Sequence, residues 1–295
     1  MNYNLLFVLA AMVSSQPDTV EQAWKEYFQD SVKYYRQGYY RHAESSGQTA
    51  QMYARRFDPN DPRRAETLIE SARAEWKLGQ YSSALGRLDE AEKILTKKPA
   101  KQPLLEARSW NMRAEILSVL GLNEEAASLA TKAYQARLKM HGADHLETVE
   151  SLDTKLFLEF GDAHQSITIR EKLLGKGHPE TAPSYLLLAR SRPYYESAEK
   201  HIRQAMRLLQ KINPEHADLA EAWTLLGHHE RLQGNIEEAE QTLQHALKHW
   251  RRLDARHPRG HGAGRVGHDS GTAKQNHRGG KTLSGGSRAA FLGPG

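Results

Sequence analysis

The chain has 295 residues, 39% of them apolar, and no uninterrupted apolar run long enough to span a membrane, so it has ample material for a folded core. It has no cysteine, which excludes disulfides, a thiol nucleophile and cysteine-ligated zinc. The isoelectric point near 9.2 suggests nucleic acid, but from Arg256 onward there are seven Lys or Arg against one Asp; removing that +6 from the net +5 leaves the rest at −1. Basicity confined to a tail says little about the body, and no nucleic-acid partner is expected.

In chain order, Leu5 to Val13 is a short apolar stretch followed by Ser14-Ser15, small residues suited to cleavage before Gln16. It reads either as an export signal over residues 1–15, giving a periplasmic or secreted protein in a bacterium-like setting, or as a first helix packed on a cytoplasmic one. From Val20 a cassette recurs about every forty residues. Its members are Gly38-Tyr40-Ala43, Gly79-Tyr81-Ala84, Gly121-Asn123-Ala126, Gly161-Ala163-Ser166, Pro193-Tyr195-Ala198 and Gly234-Ile236-Ala239. A period of this length marks a stacked repeat array.

Each cassette lies between two stretches of helical spacing. Leu68, Ala72 and Trp76 precede Gly79, and Ala84, Leu88, Ala91 and Leu95 follow it on one face. The unit is therefore helix A, a tight glycine corner, and helix B, with alanines where two backbones approach. The fourth unit has Ser166 for alanine. The fifth has Pro193 at its corner and Pro183 inside a shortened helix A, which predicts an irregular stack from Pro183 to Tyr195.

The sixth unit, with Trp223, Leu226, Gly227, Gly234, Ile236, Ala239, Leu243 and Ala246, resembles the tetratricopeptide repeat. A loop of His or Pro before an acid recurs at Asp144-His145-Leu146-Glu147-Thr148, at His178-Pro179-Glu180-Thr181 and at Pro214-Glu215-His216-Ala217-Asp218, similar to the longer, kinesin-light-chain-type repeat. The resemblance covers residues 20–253 and implies an all-α fold, a right-handed α-solenoid of about six units.

From His257 the periodicity stops, and half of the 22 glycines lie between Gly260 and Gly295. Residues 256–295 read as a disordered glycine-rich, basic tail. They also read as a frameshifted further repeat: one base later, the codons of Arg278 to Leu283 permit Glu-Ala-Glu-Lys-Leu-Tyr, forty residues after Glu238-Ala239-Glu240. On that reading the final helix, Ile236 to Trp250, leaves Leu243, Leu247 and Trp250 partly uncovered and the protein self-associates.

No phosphate-cradling loop, Walker lysine or nucleophile elbow occurs, so no catalytic residue or cofactor is assigned. His228-His229-Glu230 is read as solvated helix surface, since adjacent histidines face different ways, and no metal site is assigned. Glu124-Glu125 and Glu237-Glu238 complement the starts of B helices. The resemblance implies that helices A line a concave surface binding a protein or peptide. Helical phase then selects Glu66, Ile69, Arg73, Trp76 and Lys77, followed by Arg108, Asn111, Glu115 and Ser118, and finally Glu221, Thr224, His228 and Arg231. Arg73, Lys77, Arg108 and Arg231 are expected to clamp carboxylates of an acidic peptide, with Trp76 as an anchor. The function expected is a non-catalytic scaffold or adaptor, and the alternative is the recognition part of a larger enzyme or signalling protein.

Overall fold

The computed structural model describes residues 17–97, 102–159 and 161–255. The expected export segment and the glycine-rich tail lie outside them. Twelve α-helices among the described residues form six antiparallel hairpins. These are α1 (Pro17–Arg36) with α2 (Tyr40–Ala54), α3 (Pro62–Lys77) with α4 (Tyr81–Thr96), and α5 (Pro103–Val119) with α6 (Asn123–His141). Then come α7 (Leu146–Leu158) with α8 (His164–Leu174), α9 (Ala182–Ser191) with α10 (Ser197–Ile212), and α11 (Asp218–Leu232) with α12 (Ile236–Ala255).

The corners close by one mechanism. Gly38, Gly79, Gly121 and Gly234 have φ between 74° and 85°, and the residue after each donates its N–H to the carbonyl five residues back at 2.9 Å. This is the Schellman closure, which satisfies a helix's last carbonyls and needs a left-handed residue. The fourth corner departs from it. There Gly161 itself makes the 2.8 Å bond, to the Leu156 carbonyl, and it is not among the positive-φ glycines. A Cβ there would lie 2.4 Å from Leu156 Cδ2, so a larger residue displaces that side chain.

The cassette alanines do what their size suggests. Ala43, Ala84 and Ala126 have no exposed surface, and Ala198 and Ala239 have almost none. Between them lie clusters such as Leu68, Leu88, Leu95 and Ile116, or Leu186, Ile202, Leu208 and Leu226, strung from unit to unit. Each fully buried aliphatic contributes about 1.5–3 kcal/mol, and each face is covered only by the next hairpin. Trp24 extends the stack at its start by donating to Thr67 Oγ1 at 2.8 Å.

Pro183 does not break a helix. It sits in the first turn of α9, just after a 3-10 turn at Pro179–Thr181, where a proline's missing N–H has no partner to lose. The irregularity is confined to residues 192–196, which leave Tyr194 and Tyr195 exposed. Nor is His229 solvated: it is 4% exposed, and its Nδ1 donates to the Pro193 carbonyl at 2.8 Å, tying α11 to that irregular corner.

The recurring loop histidine is a helix cap. His145, His178 and His216 accept through Nδ1 from the N–H groups of Glu147, Glu180 and Asp218, at 3.3, 3.2 and 3.2 Å. Asp61 does the same for Arg63 at 2.9 Å at the head of α3. Each offers a lone pair to a free amide of the helix that follows.

The candidate concave site

The stack curves until its first hairpin meets the loop between the fifth and sixth. Tyr40 Oη donates to Asp218 Oδ1 at 2.7 Å, and Lys77 Nζ reaches the same oxygen at 3.1 Å. Asn213 Nδ2 donates to the Gln37 carbonyl at 3.1 Å. Because His216 Nδ1 accepts the capping bond, its Nε2 carries the proton and donates to the Arg36 carbonyl at 3.3 Å. Gly38 fits with no space to spare, since a Cβ would fall 2.8 Å from His216 Cγ and 2.9 Å from the Ala217 nitrogen.

The curved stack frames a partly open cavity of about 1000 Å³ lined chiefly by helices A. Of the residues selected by helical phase, Glu66, Ile69, Arg73, Trp76, Lys77, Arg108, Asn111 and Glu115 all line it, as do Ser118 and Glu221. Thr224, His228 and Arg231 do not. The first hairpin meets α11 at Asp218, so only that helix's first turn faces the cavity; Thr224 donates to its own helix at the Ala220 carbonyl. His228 and Arg231 are exposed.

The wall's cations are engaged with its own carboxylates rather than free to clamp an acidic peptide. Arg73 reaches Glu150 at 3.2 Å and lies 4.1 Å from the Tyr35 ring centre. Arg108 bridges Glu66 at 3.3 Å and Glu70 at 3.2 Å. Arg137, 2% exposed, donates to the Glu147 carbonyl at 2.7 Å, to Ser151 at 2.8 Å and to Glu150 at 3.2 Å, and Arg170 bonds Asp153 at 2.6 Å.

The titrations follow from these neighbours. For Glu150, burial is opposed by the guanidinium groups of Arg73, Arg137 and Arg108, which hold it down at about 2. Glu115 is pushed up to about 7 by burial and by the Glu150 charge. Burial raises Tyr35 to about 12 and also holds Tyr40 well above the usual phenol range, with Asp218 adding to both. Burial is also the largest influence on Asp218, but the Lys77 ammonium and the hydrogen bonds from Tyr40 and Lys77 outweigh it and the carboxyl is lowered. His216 is lowered by burial and stays neutral at physiological pH.

Sequence reasoning missed two groupings. His141, His145 and Glu147 bring three ligand atoms within 4.8 Å, with the imidazoles stacked at 3.9 Å. The Nδ1 lone pair of His145 is spent on the cap, which leaves Nε2 protonated and unable to take a metal without releasing the helix. The other is the closure itself, made by Gly38 and Tyr40, which look in sequence like Gly79 and Tyr81 of the second unit.

Residues 195–257 match the model of the tetratricopeptide repeat family. No curated protein matches the sequence. Among solved structures, the apo form of RapI is 16% identical, superposes with a TM-score of 0.60, and the alignment covers 84% of this chain and 90% of RapI. BtubC (BKLC) from P. vanneervenii is 18% identical with a TM-score of 0.51, covering 75% of this chain and 94% of BtubC. The repeats of a Podosopora anserina putative kinesin light chain align at 19% identity over 83% of this chain and all of theirs, with a TM-score of 0.32, too loose to add to the fold argument.

Proposed function

Starting from a chain of tetratricopeptide repeats, stacked as an all-α solenoid of six hairpins, we propose a non-catalytic protein-interaction module that holds a short extended segment of another polypeptide in the cavity framed by helices A. The carrying observation is the cavity wall: helix A residues of consecutive units, Arg73 and Trp76 on α3 and Asn111 and Glu115 on α5 among them, face one space. At about 1000 Å³ that space is at the upper end of ordinary ligand pockets, roughly 300–1,000 Å³, which suits a short peptide and is too small for a folded domain. Trp76 and Phe157 supply apolar surface, and the buried amide of Asn111 supplies directional hydrogen bonding.

The module acts as scaffold or adaptor, and its charged residues serve recognition. The wall's arginines pair with Glu150, Glu70 and Asp153, an arrangement that suits recognition of a bound segment. Phage display of random short peptides on the full-length protein tests the reading, with Ser118→Trp as a variant that fills the cavity. Selected peptides should lose binding to that variant. If they bind it as well as the natural protein, or if none is selected, the cavity is not the recognition site.

A further inference from the structure

The cavity wall carries nine carboxylates against seven lysines and arginines. Each cation of the wall described above has a carboxylate partner, and Lys77 has Asp218. Glu115 stands apart. Among the described residues no ion pair reaches it; its Oε1 accepts from Asn111 Nδ2 at 3.0 Å and from Thr154 Oγ1 at 2.9 Å, both neutral donors. One turn away on the same face of α5, Asn111 is 3% exposed and its Oδ1 has no hydrogen-bond partner. Glu70, 2% exposed, leaves its Oε1 without a hydrogen bond as well.

A half-buried carboxylate with no ion-pair partner, beside an unpaired buried amide oxygen, is costly as it stands. Donors carrying positive charge relieve both. Building on the peptide-binding reading, we infer that the cavity takes a basic residue of the bound segment, its ammonium or guanidinium group donating to Glu115 and to Asn111 Oδ1. An acidic segment would meet Glu115 and Glu150 with like charge while the arginines beside them are already paired. The raised titration of Glu115, up to about 7, is what a carboxylate waiting for a cation should show.

The test uses four pools of random hexapeptides with one central position fixed as arginine, lysine, citrulline or glutamate, presented to the full-length protein and to Glu115→Gln. Citrulline keeps the shape of arginine and removes its charge. A charge-assisted hydrogen bond of about 1.5–3 kcal/mol corresponds to retention of the arginine or lysine pool at least about tenfold above the citrulline pool. Glu115→Gln should erase that preference, with its circular dichroism intact. Equal retention of the citrulline or glutamate pool, or a preference that survives Glu115→Gln, overturns the basic-residue inference while the peptide groove stands. If no pool is retained, the groove reading itself fails and takes this inference with it.

Discussion

Replacing Gly38 by alanine separates the closure from ordinary corner chemistry, because the repeat supplies its own control. At Gly79, φ is +74° and nothing lies within 4 Å of a new Cβ, so Gly79→Ala costs only the left-handed backbone, about 1–2 kcal/mol. At Gly38, φ is +76°, and the same methyl group collides with His216 Cγ at 2.8 Å and with the Ala217 backbone nitrogen at 2.9 Å. Forcing that contact adds an overpacking cost of about 1–3 kcal/mol. Yielding instead moves the 213–218 loop away and gives up Asn213 to Gln37 and His216 to Arg36, at about 0.5–1.5 kcal/mol each. Gly38→Ala should therefore be less stable than Gly79→Ala by about 1–3 kcal/mol in urea titrations followed by circular dichroism, and its radius of gyration by small-angle scattering should increase. Equal destabilisation with unchanged scattering would refute a first hairpin packed on the 213–218 loop.

Three further outcomes follow from single groups. Ser166 replaces the cassette alanine in a fully buried position with its hydroxyl unpaired, so Ser166→Ala should stabilise the protein by about 1 kcal/mol, whereas Ser184→Ala, which loses its bonds to Arg170 and Asp153, should destabilise it; a thermal melt decides both signs. Glu115 binds its proton more tightly folded than unfolded, so its contribution is present below the unfolded value of 4.5 and lost as pH rises to about 7; Glu115→Gln should gain stability of about 3 kcal/mol at pH 8 and almost none at pH 4, by denaturant titration. His216 is lowered instead, so acid favours the unfolded or opened state: the closure weakens as pH falls below 6.5, faster hydrogen exchange of the residues around Gln37 should report it, and His216→Gln should flatten that dependence.

How far the sequence speaks depends on whether a signal repeats. Gly79, Tyr81 and Ala84 recur in phase with Gly121 and Ala126 and with Gly234 and Ala239, and hairpins, corners and close-packed alanines all stand where that recurrence puts them. The cavity-facing side of α3 and α5 follows from helical phase for the same reason. What the sequence hides is whatever one unit does differently from its siblings. Tyr40 and Tyr81 occupy equivalent positions, yet only Tyr40 meets Asp218, 178 residues away, because curvature accumulated over six hairpins brings them together. Pairing of Arg73 with Glu150 and of Lys77 with Asp218 depends on the same curvature, which is why both looked available to an outside carboxylate. Pro183 is misread for a local reason: a 3-10 turn ends just before it and converts a mid-helix proline into a first-turn one. The loop histidines show as a motif, but their capping role needs the helix start to be known within a residue.

If the solenoid meets itself around its cavity, its first hairpin and the loop before α11 stay a short, fixed distance apart. Since the chain has no cysteine, Lys33→Cys and Pro214→Cys, both at exposed positions, give a clean doubly spin-labelled full-length protein. Electron spin resonance should find one narrow, short-distance population that persists in dilute solution. A broad distribution at long distances, as for an open arc of hairpins, would contradict the account.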